Sequence, residues 1–265
     1  MDRAARRRIE REKEKRRNDR VMIGFLSAGM VHHKFMNSVL DCIGHSVDTV
    51  RDGHLFTGNN WYISLISSPR IASSRTEIVK AFLRDSDAEW LWMIDTDMVF
   101  EGDALSRLMA VADKDERPIV GGLCFTGHPG QTKLGHTLYV MENDEDGRPM
   151  FSKADLPLDA IKEGGLVQVD ATGAAFLLVH RSVFVRMAAD HPHGFGTQKN
   201  GDLNPFPWFY EGYVAGGHQY GEDIAFCMRA RHLGYPIYIH TGIRVGHIKP
   251  CEVDLDIYTR FEMTD

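Results

Sequence analysis

Cysteine is scarce and scattered in this chain: four in 265 residues, Cys42, Cys124, Cys227 and Cys251, with no C-x-x-C pair. That spacing excludes a zinc knuckle and a disulfide framework, and reduced thiols are the expectation. Long apolar runs are missing as well. None approaches the roughly 18 residues that a membrane-spanning helix needs, so no transmembrane segment is expected. The first residues are charged and lack the apolar core of a secretory signal peptide, which makes a cytoplasmic location the expectation. There is no internal repeat.

What is present is an ordinary globular composition, 43% hydrophobic and 26% charged. The length suits one large domain or two small ones. The net charge of −6 is unevenly spread, because the first twenty residues carry ten Lys or Arg against five acids. That local +5 leaves −11 on the remainder. Residues 1–20 have no apolar stripe with which to pack on a core, and Glu12 with Arg16 has the i,i+4 spacing of a solvated helix. The segment reads as a basic tail, disordered or helical. A basic arm that touches nucleic acid or an anionic surface is the alternative.

Beyond the tail, strand and helix signals alternate. Residues 20–29 read as a buried strand that runs into a small-residue turn. A helix follows from His33 to Ile43, then a short strand over 60–67. The next helix begins after Pro69 and continues through Leu83, with Ile78, Phe82 and Leu83 on one face. Ala88–Ile94 is a strand, 103–112 a helix and 119–125 a strand. The acidic, Gly-rich stretch from Thr126 to Gly165 reads as a hairpin or an excursion. Strands resume over 166–180, 189–217 is loop-like, a helix opens at Gly221, and 237–240 is a late strand. Such alternation predicts a largely parallel α/β sheet, whose ligands lie beyond the carboxyl ends of the strands.

The strand Trp90-Leu91-Trp92-Met93-Ile94 ends in Asp95-Thr96-Asp97. Unpaired carboxylates at the end of a buried strand are costly and ask for a cation or hydrogen-bond donors. A divalent metal is one answer, since Mg2+ is held by one or two carboxylates plus substrate phosphates. A turn cap is the other. Glu222 and Asp223 open a helix, where they either offset its dipole or stand ready to take a proton from a hydroxyl. His247 matters only if the fold returns it to Asp97.

Taken in order, the strand into Asp95-Thr96-Asp97, the segment Val169-Asp170-Ala171-Thr172-Gly173-Ala174-Ala175-Phe176, Gly221-Glu222-Asp223 with Arg229, and the late His247 resemble a GT-A-fold glycosyltransferase. The closest likeness is to the family 2-like group, which includes small bacteriophage and bacterial enzymes. The resemblance covers 21–249 as one GT-A domain, leaving 250–265 as a C-terminal tail. It implies a single Rossmann-like, mostly parallel sheet with a small β region on the acceptor side.

The resemblance also implies a hexosyltransferase with Asp223 as base and Mn2+ or Mg2+ as cofactor, inverting if Asp223 acts in a single displacement, with retention left open because GT-A enzymes of both kinds share the metal site. Asp97 and His247 would hold the metal, with Asp95 at its water shell or the ribose. Ser27 and Arg75 would join Asp95 and Asp97 at the donor, a nucleotide sugar of the UDP type. The family pattern often places Asn after that Arg, whereas Thr76 stands here. Gly173, Trp208 and Glu222 would face the sugar or acceptor, with Trp208 as a stacking platform. The acceptor is open between protein, glycan, lipid-linked sugar and modified DNA, and the compartment would be a bacterial host's cytoplasm if the protein is phage-encoded. Two rivals are a GT-A-like nucleotidyltransferase and a non-catalytic carbohydrate- or nucleic-acid-binding module. The first usually carries Arg or Lys in a Gly-rich loop after the first strand, and 27–33 has neither.

Overall fold

A computed structural model describes residues 20–49, 56, 61–67, 70–127, 135–190, 208–210, 212–213 and 219–249. The expected tails and most of the 189–217 loop lie outside the described residues. In chain order the elements are β1 (Val21–Ser27), α1 (His33–Thr49), β2 (Tyr62–Ile66), α2 (Ile71–Asp85), β3 (Trp90–Asp95), β4 (Met98–Val99), α3 (Ala104–Val111) and β5 (Ile119–Thr126). There follow β6 (Gly135–His136), β7 (Leu138–Asn143), β8 (Pro149–Lys153), α4 (Leu158–Glu163), β9 (Leu166–Val169), β10 (Ala171–Thr172), β11 (Phe176–His180) and α5 (Arg181–Asp190). The last are β12 (Gly212–Tyr213), β13 (Gln219–Tyr220), α6 (Glu222–His232) and β14 (Ile237–His247). Among the described residues no helix is long and apolar enough to cross a membrane.

The main sheet runs β2-β1-β3-β11-β5-β14-β4, with β6 on β5 and β9 on β14. Five strands, β2, β1, β3, β5 and β14, point the same way, and β11 lies antiparallel between β3 and β5. The expected mostly parallel α/β sheet is therefore present, with one reversed strand at its centre. That reversal matters for the site. The C-terminal ends of β1, β3 and β14 share an edge with the N-terminal entry to β11, so Ser27, Asp95 and His247 are brought to the same side as Gly173–Ala175.

Alternation along β3 sorts its side chains onto two cores. Leu91 and Met93 join α2, α5 and α6 through Ile78, Phe82, Phe184 and Phe226. Trp90, Trp92 and Ile94 join α1 and α3 through Phe35, Val39, Leu105 and Leu108. This period-2 division is what a strand buried on both faces requires. Asp95 continues the Leu91–Met93 row, toward α2. β14 begins on the same side, with Ile237 and Ile239, and then changes over, with Ile243 and Val245 in the other core. The cause is a bulge: His240 pairs with Gly122 but Arg244 pairs with Leu123, which leaves three residues unmatched. An odd insertion exchanges the faces of everything after it. The expected short strand 237–240 and the segment at 245–247 are thus one bulged strand.

Two helices lacked a sequence signal, α4 and α5. The start of α5 also explains why α2 stops. Arg181 donates to the carbonyls of Phe82, Leu83, Ser86 and Ala88, and its guanidinium lies 4.3 Å from the centre of the Phe82 ring. It satisfies carbonyls that the end of a helix leaves without partners. Close packing at the sheet centre depends on Gly121, where a Cβ would come within 2.9 Å of the Phe176 carbonyl oxygen and of Ile239 Cδ1. Backbone cannot move aside cheaply. Gly121→Ala is expected to cost about 1–3 kcal/mol, read as a lowered thermal midpoint; an unchanged midpoint would contradict this account of the packing.

Candidate active site

The two aspartates that stand together in the sequence are given different partners. Asp95 is met by Arg75 from α2, a side chain that is 4% exposed. Arg75 Nη2 lies 3.0 Å from Asp95 Oδ2 and 3.0 Å from Oδ1. Its Nη1 donates to the Ala174 carbonyl at 3.0 Å, and its Nε donates to Glu222 Oε1 at 3.3 Å. One guanidinium thus ties together the end of β3, the entry to β11 and the start of α6. Burial alone would depress the ionisation of Arg75, but Asp95, Glu222 and Asp223 more than compensate and shift it upward.

Asp97 is drawn to the other side. After the turn at 96–97, β4 pairs with the end of β14, Met98 opposite His247 and Val99 opposite Gly246. Ile248 N–H donates to the Asp97 carbonyl at 2.8 Å. The side chains follow: His247 Nε2 lies 2.9 Å from Asp97 Oδ2. Lys249 Nζ lies 3.9 Å from the same oxygen. The condition set on His247 by the sequence, a return of the chain to Asp97, is met across 150 positions.

Asp223 stands beside Gly173. A Cβ on Gly173 would lie 3.6 Å from Asp223 Oδ2 and 3.5 Å from Thr137 Cβ, so glycine leaves a methyl-sized slot between the carboxylate and Thr137. Asp223 Oδ1 accepts the Ile224 N–H at 2.7 Å, which leaves Oδ2 as the oxygen that faces Gly173. Burial pushes Asp223 upward from the ordinary carboxylate range, against the opposing pull of the Ile224 N–H and Arg75. Glu222 is also raised, by burial first, although Arg75 pulls it down.

Two expected roles are altered by these contacts. Asp95 is engaged by Arg75 rather than gathered with Asp97 and His247, and among the described residues no cluster of three or more His, Cys, Asp or Glu is arranged around a metal position. Arg75, expected at the donor, has its guanidinium occupied by protein groups. Trp208 is a core residue, 6% exposed, with its indole N–H donating to the Phe184 carbonyl at 2.9 Å. A stacking platform needs an open ring face, so that expectation is corrected. Ser27 is buried at the end of β1, where its hydroxyl accepts the Gly29 N–H at 3.4 Å and supports the turn. Thr76, which stands where the family pattern has Asn, joins the Phe209 backbone through its hydroxyl. Two further residues had gone unnoticed in the sequence. Lys249 approaches Asp97, and Thr137 forms the far wall of the Gly173 slot. A lone Lys or Thr in a loop carries no signal that would single it out.

Whether this donor set suits Mn2+ or Mg2+ can be judged from its geometry. Two neighbouring ligands of an octahedral ion, each about 2.1 Å from it, are about 3 Å apart. The 2.9 Å between Asp97 Oδ2 and His247 Nε2 matches that edge. The carboxylate is the donor type that suits either ion, the imidazole is the softer of the two donors, and two protein ligands would leave positions for phosphates and water. The pair could hold such an ion, and its 2.9 Å separation is equally that of the hydrogen bond the two side chains make.

No protein-family model and no curated protein sequence matches the chain. Solved structures do. A197 from STIV is similar with a TM-score of 0.53 at 14% identity, over 87% of this chain and 86% of that one. GalNAc-T7, a GT-A glycosyltransferase solved with UDP, GalNAc and Mn2+, is similar with a TM-score of 0.53 at 11% identity. The match covers 88% of this chain and 44% of GalNAc-T7, so the chain spans less than half of that protein's length. The mixed sheet with helices on both faces, together with these structural matches, shows that this chain has a GT-A-like fold.

Proposed function

We propose that this protein transfers a sugar from a nucleotide-sugar donor, of the UDP type, to an acceptor hydroxyl, as a family 2-like GT-A glycosyltransferase. The observation that carries the reading is the joint presence, on one side of the sheet of a GT-A-like fold, of the Asp97–His247 pair and the half-buried Asp223 at the start of α6. Asp97 and His247 would hold Mn2+ or Mg2+, which when bound supplies Lewis-acid stabilisation to the leaving diphosphate.

The chain's own residues account for the rest. Asp223 Oδ2 takes the proton of the acceptor hydroxyl. The acceptor oxygen then forms a bond to the anomeric carbon as the bond from that carbon to the diphosphate oxygen breaks, and the electron pair leaves with the diphosphate. A single displacement of this kind inverts the anomeric centre. Gly173 keeps the approach to Asp223 open. Lys249 brings a positive charge to the phosphate side, and Arg75 holds Asp95 and Glu222 in place. Asp95 and Ser27, at adjacent strand ends, are the candidates for ribose and base contacts. One catalytic domain over 21–249 is part of this reading.

The test is a panel of nucleotide sugars assayed for transfer or hydrolysis with Mn2+ or Mg2+. Asp97→Asn and His247→Asn are each expected to lower kcat/KM by about 100-fold or more, the several kcal/mol that a Lewis-acid metal supplies. If no sugar nucleotide binds or turns over, and Asp97→Asn behaves as wild type, the reading is lost. Nucleotidyl transfer or sugar binding without turnover would favour the corresponding rival.

A further inference from the structure

A polar cavity lies along β14, ahead of His247 and outside the Asp223 slot. It has a volume of about 440 Å³ and is bounded by Arg107 of α3, the C-terminal end of α4 and the bulge of β14. This is within the range of small-ligand pockets, about 300–1,000 Å³. Its charged side chains are Arg107, Lys162 and Arg244 against Glu101 and Glu163, with His240 among them. Glu101 is directed to solvent, its side chain 82% exposed.

The cavity is built around close backbone approach. Gly164 lies with φ at +74°, and a Cβ there would stand 3.0 Å from Gly242 Cα. A Cβ on Gly242 would meet Arg107 Nη2 at 2.7 Å. The bulge that changes the face of β14 therefore also makes the floor on which the Arg107 guanidinium rests. The Thr241 N–H and hydroxyl both donate to the Gly165 carbonyl, at 2.8 and 3.2 Å, which fixes the bulge to the end of α4.

The donors in this cavity have hydrogen-bonding capacity to spare. Arg107 is two-thirds buried and pairs with Glu101 and Asp103 only at 3.8 and 3.9 Å, as Lys162 does with Asp159 at 3.8 Å, all beyond hydrogen-bonding range. The Arg107 guanidinium donates no hydrogen bond among the described residues. His240 Nδ1 accepts the Gly242 N–H at 3.2 Å, which assigns the ring hydrogen of a neutral imidazole to Nε2, and that atom has no hydrogen-bond partner among the described residues. Arg244 Nη2 is used on the Ile161 and Lys162 carbonyls, while its remaining N–H groups are not. Burial, and then the charge of Arg107, hold His240 below the ordinary histidine range. An anion in the cavity would reverse the second effect.

We propose that this cavity binds a phosphate-type oxyanion, with Arg107 as the principal donor, His240 Nε2 beside it, and Lys162 and Arg244 at the rim. A guanidinium with free parallel N–H groups suits an oxyanion, because charge-assisted, forked hydrogen bonds are the strong ones. The site is separate from the proposed transferase cleft and stands or falls without it.

Inorganic phosphate, titrated into the full chain at constant ionic strength made up with chloride, tests this directly. Calorimetry and the ring signals of His240 would be followed. Saturable binding is expected, with the His240 titration moved upward and amide shifts concentrated at Gly165, His240 and Gly242. Arg107→Gln should weaken phosphate at least tenfold. Gly242→Ala keeps every charge but displaces the guanidinium, and should weaken it as well; it serves if Arg107→Gln fails to fold. Asp97→Asn should leave phosphate affinity unchanged. A linear, unsaturated response in the wild type would overturn the proposal. So would loss of binding in Asp97→Asn with retention in Arg107→Gln, which would put the phosphate in the transferase cleft.

Discussion

Asp223→Asn is expected to lower kcat for sugar transfer by about 10²–10⁴-fold, the range that a positioned acid or base contributes. Donor affinity should be little changed, because the substitution is isosteric and the Asp97–His247 pair is elsewhere on the sheet edge. An amide cannot accept the hydroxyl proton, yet its oxygen can still take the Ile224 N–H. The two functions of the side chain are thereby separated. The acidic limb of the wild-type pH–rate profile should lie above the range of an ordinary aspartate, since burial raises this group and the base must be ionised to act. A variant that turns over at the wild-type rate would remove Asp223 from the chemistry.

The same burial makes a thermodynamic prediction with a definite sign. In the window between the ordinary carboxylate values and the raised ones of Asp223 and Glu222, the folded chain holds more protons than the unfolded chain. Their contribution to stability therefore falls as pH rises through that window. Asp223→Asn removes one of the two contributions. Above the window the variant should melt at or above the wild-type midpoint, so that activity is lost while stability is kept or gained, as befits a residue retained for function.

Arg75→Met is the opposite case, with a large expected effect on the fold itself. Removing the cation leaves Asp95 and Glu222 as carboxylates whose side chains are only 25% and 12% exposed, and it leaves the Ala174 carbonyl without its donor. Breaking a buried ion pair by removing one partner costs about 3–5 kcal/mol. For a chain of this size that is a fall on the order of 10 °C in the thermal midpoint. Arg75→Lys should recover part of the loss and no more, because one ammonium cannot reach three separated acceptors as a planar fork does. If Arg75→Met melts with the wild type, the view of Arg75 as the link between β3, β11 and α6 is mistaken.

Local pattern determined a good deal in this chain. Apolar runs marked β1, β3 and β5, a 3.6-residue period marked α2, and the order of strands and helices implied an α/β sheet. The acid-bearing strand end and the Glu222–Asp223 helix start were visible for the same reason, since a charge that interrupts an apolar run stands out locally. Partner choice is a different kind of information. That Asp95 belongs to Arg75 while Asp97 belongs to His247 depends on which face each side chain takes at the end of β3, and on β4 turning back to pair with β14. That Trp208 is interior depends on Phe184, and the changed face of β14 depends on a three-residue bulge that no periodicity announces. Sequence patterns record how each residue sits relative to its neighbours, which short-range sterics and burial decide. Contacts between residues 20 to 150 positions apart are decided by sheet register and layer packing, and only the tertiary structure fixes those.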